Sequence, residues 1–355
     1  MIHIISNLKK YFSQLFNTLG EKTVRKALII GINDYDEISP LNWCENDAVG
    51  MEQALSRNSD GSPNFTVELL TTNNPEGVRG RRAKQMVQSL FSGEADVALF
   101  YFAGHGAFNE DMSEGVLCLQ DYSHDDDNGF IRISDILNYA NNSAIKNKII
   151  ILDSCNSGAA GEDRTRADNI SVIGNGVVIL TACTKKQYAT ESTADEHGLF
   201  TALLLEGLNG ASSNILGQVS PGSLYSFIDN ALNVWKQRPV FKTNVSTFIS
   251  LRQNHPLVDL STLRKLPEWF TYPGEIFKLD PSFEPDRKSV ADELKNIPVD
   301  PTNAAIFKEL QNCNRHGLIV PHEAEHMFFA AMNSTGCKLT ALGEYYRKIC
   351  INGKI

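Results

Sequence analysis

The sequence predicts an α/β protein, a mostly parallel sheet flanked by helices, followed by a small, mainly helical domain. Three observations point there. Short apolar runs rich in β-branched and aromatic residues (ALIIGIN, VALFYFA, KIIILD, GVVILT) alternate with helix-patterned segments, the order that builds parallel strands joined by helical crossovers. Each run stops at small, polar, Gly-containing sequence, as strand ends do. Prolines 256, 267, 273, 281, 285, 298 and 301 then interrupt the pattern, and a short helical segment follows.

Taken in order, residues 1–24 place Ile4, Ile5, Leu8, Phe12, Leu15, Phe16 and Leu19 on one stripe of an amphipathic helix. Residues 25–254 form the main domain. A first strand runs from Lys26, and a helix begins near Asn46–Asp47. Residues 65–71 read as a second strand and 77–93 as a helix. The VALFYFA strand starts at Val97, Val116–Asp121 reads as a hairpin strand, and Asp125–Gly129 as a turn. A helix over 134–142 leads into the strand ending at Asp153. After a polar stretch come a strand at 176–183, helices at 199–210 and 223–235, and a last strand at 245–251. Residues 255–300 read as a Pro-rich linker and 301–355 as a compact module of short helices.

The composition, 42% apolar and 21% charged over 355 residues, is that of an ordinary folded chain. A net charge of −9 argues against a general nucleic-acid or anionic-membrane binder. No apolar run approaches the ~18 residues of a membrane span. Seven scattered cysteines and no signal-peptide pattern predict free thiols in a reducing cytoplasm.

The chemistry is expected where two strands end. The run from Val97 stops at His105 and the run from Lys148 stops at Cys155, and a helix joins them. A βαβ unit puts both carboxyl ends on one edge of the sheet, where a thiol and an imidazole can form a nucleophile and its base. The N–H groups of Gly106 and Cys155 could together hold an oxyanion. An inert thiol and a structural histidine fit the spacing equally well.

The segments YFAGHG (101–106) and DSCNSG (153–158) resemble the two catalytic signatures of the caspase-like cysteine peptidases: caspases, metacaspases and paracaspases. NDA (46–48), TACTKKQYATE (181–191), GLFTALLLEGL (198–208) and QRPVF (237–241) extend the likeness over about 225 residues, closest to the prokaryotic caspase and metacaspase type. The resemblance implies the caspase-hemoglobinase fold, a zymogen-type cysteine endopeptidase, and His105 and Cys155 as its dyad with Gly106 in the oxyanion hole. It further implies that Cys44-Glu45-Asn46-Asp47 and Asp153 line a pocket for a basic residue, so that cleavage follows Arg or Lys. Two carboxylates select a guanidinium or ammonium through charge-assisted hydrogen bonds. The bland alternative is that Asp47 caps its helix and Asp153 braces the nucleophile turn. Asn156 stands where many relatives have His, and Ala103 where many have Ser. Relatives are often processed after the nucleophile strand, which makes Arg164 and Arg166 in GEDRTRADN candidate self-cleavage points.

No cofactor is expected. Some metacaspases are calcium-activated, and Asp121, Asp125–Asp127 and Glu162 would be the candidates for such activation here. His322-Glu323-Ala324-Glu325-His326 matches the zinc-peptidase H-E-x-x-H pattern, but Pro321 puts its first His at a helix start, and Cys313, His316 and Cys337 add only irregular spacings. The last segment resembles a winged-helix module. Residues 281–355 carry nine Lys/Arg and nine Asp/Glu, a neutral balance unlike a DNA reader. The sequence therefore predicts a peptidase acting on protein or peptide substrates, regulated by a protein partner through this module. A silent protease-fold scaffold and a nucleic-acid-associated regulator are the alternatives.

Overall fold

The computed structural model describes residues 23–109, 112, 114–123, 128–154, 173–182, 196–232, 239–288 and 290–355. Residues 1–22 of the expected N-terminal helix, Cys155, Arg164 and Arg166 lie outside this set. The chain divides into two units. The first holds the described residues up to Ser213 and Val219–Asn254; the second holds Asn214–Gln218 and His255–Ile355.

The first unit is built on a six-stranded sheet. Its strands are β1 (Arg25–Gly31), β2 (Thr66–Thr71), β3 (Val97–Ala103), β7 (Asn147–Asp153), β8 (Val177–Thr181) and β9 (Val240–Asn244). They lie in the order β9-β8-β7-β3-β1-β2, parallel except for β9. In the central strands both faces are buried, which is why they read as unbroken apolar runs. Leu99, Tyr101 and Ala103 of β3, with Ile149 and Ile151 of β7, face one core. Ala98, Phe100 and Phe102, with Ile150 and Leu152, face the other. Helices α1 (Cys44–Ser56), α4 (Leu199–Glu206) and α5 (Pro221–Leu232) cover the first face; α2 (Gly80–Leu90) and α3 (Ile133–Asn142) cover the second. Between β3 and α3 the chain makes a small antiparallel sheet of β4 (Gly106–Asn109), β5 (Glu114–Cys118) and β6 (Phe130–Arg132).

The last strand of the main sheet is displaced from its expected place. Val240–Asn244 pairs antiparallel with β8, whereas 245–251 forms no strand. The VSTFISL run is apolar because Val245 and Ile249 pack on the core, without joining the ladder.

The second unit contains α6 (Leu260–Trp269), α7 (Asp292–Lys295), α8 (Pro301–Arg315), α9 (Met327–Met332) and α10 (Ala341–Ile351). With them is a three-stranded antiparallel sheet, β10 (Ile276–Phe277), β11 (Ile319–His322) and β12 (Gly336–Leu339), in the order β10-β12-β11. Residues 255–300 are not a linker. Leu263, Leu266, Phe270, Leu279 and Phe283 sit in the same core as Phe307, Leu310 and Leu318. Of the prolines that suggested a linker, Pro301 marks a start instead: it occupies the first turn of α8, where a missing N–H costs nothing, and Asp300 accepts hydrogen bonds from Thr302 and Asn303. Among the described residues, no helix is long and apolar enough to cross a membrane.

Candidate active site

Because β3 and β7 are parallel neighbours in register, Ala103 lies opposite Asp153 and both strands end on one edge. The Gly104 N–H donates to the Asp153 carbonyl at 3.3 Å, and the Ile32 N–H donates to the Ala103 carbonyl at 3.0 Å. His105 follows directly. Its backbone N–H donates to Tyr35 Oη at 2.8 Å, and its ring lies 5.0 Å from the Tyr35 ring. His105 Nε2 is 2.9 Å from the Ser39 carbonyl. A carbonyl only accepts, so Nε2 carries a proton, and in the neutral tautomer this selects Nδ1 bears the lone pair.

Gly106 opens β4. The Cys118 N–H donates to the His105 carbonyl at 2.9 Å. That bond makes Gly106 and Leu117 a non-hydrogen-bonded pair, which leaves the Gly106 N–H outside the β4–β5 ladder. Cys155, two residues past the end of β7, lies outside the described residues.

Asp47 and Asp153 come together. Asp47, in the first turn of α1, is 2% exposed, and Asp153, the last residue of β7, is 9% exposed. An ideal Cβ at Gly198 would lie 3.1 Å from Oδ2 of Asp47 and 3.2 Å from Oδ2 of Asp153. The two carboxylates thus face one point, which a side chain at position 198 would crowd. Asp47 also receives the Gly198 N–H and His197 Nδ1, at 3.1 and 2.8 Å to Oδ1. It therefore caps the start of α4 rather than its own helix. Thr201 Oγ1 donates to Asp153 Oδ2 at 2.7 Å and lies 2.6 Å from Tyr101 Oη. With the threonine proton committed to the carboxylate, Tyr101 is the donor in the second bond. Burial, with both carboxylates adding to it, pushes the Tyr101 phenol well above its ordinary range and keeps it protonated.

Cys44 opens α1 and packs in the core with Ala48 and Met51. Asp121 accepts the Gly80 N–H at 3.0 and 3.1 Å, at the start of α2. Asp125–Asp127 and Glu162 lie outside the described residues. The H-E-x-x-H segment is not helical: His322 ends β11, Glu323 has φ 51°, and His326 precedes α9. The one-turn spacing of a zinc peptidase is absent. Cys313 and Cys337 are buried, and burial pushes each thiol up to about 12, the range of inert core thiols rather than metal ligands.

Sequence reasoning missed His197, Thr201, Tyr101 and Ser39. The first two flank Gly198 in HGLFT, and a polar pair at the mouth of an apolar helix was the available signal. The Ser39 carbonyl is a backbone group in a turn and leaves no signal in the sequence.

The caspase-domain family matches residues 24–249, well over half of the chain. Among solved structures, caspase-1 from Spodoptera frugiperda is similar at 15% identity, covering 65% of this chain and 91% of that one with a TM-score of 0.48. The structure of pro-sf-caspase-1 is similar at 13% identity, covering 65% and 92%, with a TM-score of 0.45. No curated protein matches the sequence.

Proposed function

The chain belongs to the caspase-domain family, and from that premise we propose that it is a cysteine endopeptidase that cuts after arginine or lysine. His105 Nδ1 takes the thiol proton of Cys155, and the thiolate attacks the peptide carbonyl carbon. The N–H groups of Gly106 and Cys155 receive the oxyanion. The imidazolium then gives its proton to the departing amine. Water, deprotonated by the same nitrogen, hydrolyses the thioester and restores the thiol. Ser39 fixes the tautomer this sequence needs.

One observation carries the specificity: the carboxylates of Asp47 and Asp153 aim at a common point beside the end of β7. Two buried carboxylates repel one another and are poorly solvated, and an arginine or lysine side chain relieves both costs. An aspartate there would add a third negative charge. His197 partners one oxygen of Asp47, and Thr201 one of Asp153, which holds each carboxylate in place.

A fluorogenic peptide panel with Arg, Lys or Asp before the cleaved bond, with and without calcium, tests this reading. Basic substrates should be cut, and Cys155→Ala should lower turnover by at least about a thousandfold. A panel in which Asp substrates win sinks the specificity, and full turnover by folded Cys155→Ala sinks the mechanism.

A further inference from the structure

The amino-terminal edge of the same sheet carries an open cavity of about 810 Å³, lined by the start of β7, the turn before β8 and the chain after β9. Two lysines line it, Lys146 and Lys148, and no Asp or Glu is among its lining residues. In a chain of net charge −9 that is an unusual local balance.

Lys148 is 4% exposed. Its Nζ donates to the Asn175 carbonyl at 2.6 Å, and among the described residues it has no carboxylate partner. An ammonium has three N–H donors, so two remain to be met. Burial lowers the lysine's pKa, and no neighbouring acid opposes that shift. A lysine buried without a counter-ion destabilises a fold. The surroundings are built around it nonetheless. Gly176 has φ +75°, and a Cβ there would lie 1.9 Å from the Lys146 carbonyl and 3.4 Å from Lys148 Nζ. Only glycine lets the chain turn this close to the ammonium. The hydroxyls of Ser143, Ser246 and Thr247 add further donors around the cavity.

We propose that this cavity binds a small oxyanion-bearing ligand, phosphoryl or carboxylate, with Lys148 as its buried counter-ion and Lys146 at its mouth. The ligand supplies the charge and acceptors that Lys148 lacks, and the cavity is of ordinary small-molecule size. Asp153 lies five residue steps along β7 from Lys148, about 16 Å of extended chain, so this site is distinct from the candidate active site.

Full-length protein is titrated with sodium phosphate and, separately, with sodium citrate, each against sodium chloride at matched ionic strength, with melting temperature followed. A saturable rise above the chloride control is expected for at least one anion, and the arm that responds names the ligand chemistry. Lys148→Met should weaken the apparent affinity about tenfold or more, and it should melt higher than wild type without the anion. The surface variant Lys146→Ala with Ser246→Ala leaves the buried groups untouched and should weaken binding several-fold. It decides the matter should Lys148→Met not fold. The absence of any saturable response in wild type, or undiminished affinity in these variants, overturns the proposal.

Discussion

At the scale of single residues, the cysteines fall into separate chemical classes. Cys155 is the proposed nucleophile, while Cys313 and Cys337 are core thiols pushed up to about 12. Their folded-state values lie above the ordinary value of 9.0, so folding holds their protons. The stability this represents is present below pH 9 and is lost as pH rises from there toward 12. Denaturant midpoints should therefore fall through that window, less steeply in Cys313→Ala, and neither thiol should react with iodoacetamide at neutral pH until the chain unfolds. Labelling of native Cys313 at pH 7 would contradict this. The carboxylates give a second prediction. Asp47→Asn keeps a hydrogen-bond acceptor for Gly198 but removes the charge, and should lower kcat/KM for Arg substrates by about ten- to a hundredfold. A matching loss on neutral substrates would show that Asp47 serves the fold alone.

At the scale of elements, the chemistry hangs on β3 and β7. Their buried, unbroken apolar runs made them legible in the sequence, and their shared register carries His105 and Asp153 to one edge. The proposed basic-residue pocket also fits the segment after β7. Cleavage after Arg164 or Arg166 would give new chains beginning at Thr165 or Ala167, and terminal sequencing of active enzyme should find them. Cys155→Ala protein should stay intact. Active enzyme with this segment unbroken would rule the processing out. What the sequence misreported at this scale has physical reasons. Val240–Asn244 contains a lysine and an asparagine, which an edge strand tolerates, while the more apolar 245–251 packs on the core with no strand partner. Proline crowding suggested a linker because a helix-starting proline and a loop proline look alike in sequence. The convergence of Asp47 and Asp153 rests on Gly198, some 150 positions from one carboxylate and 45 from the other. Only the resemblance to a known family joined the carboxylates beforehand, and it did so without His197 or Thr201.

At the scale of the whole molecule, the second unit has its own core and, apart from Asn214–Gln218, lies beyond the family match, which ends at residue 249. We propose that it regulates the peptidase through a protein partner, in keeping with the neutral charge of residues 281–355. The informative truncation ends at Asn254, because removal of 281–355 alone would strip Phe307 and Leu318 from a core that Leu263 and Phe270 still need. Chains ending at Asn254 should fold, with altered basal activity or a lost partner response. Wild-type activity and every partner retained would argue for a passive appendage.

That truncation has a complication in the path of the chain. Asn214–Gln218 belongs to the second unit, yet it is flanked on both sides by the first. Ile215 is buried in the second unit's core. The polypeptide thus passes between the units three times, like a thread that takes one stitch before its final seam. A chain cut after Asn254 keeps Asn214–Gln218 but loses the core in which Ile215 is buried. A clean truncation therefore needs a polar residue at position 215 to replace what the lost core had covered.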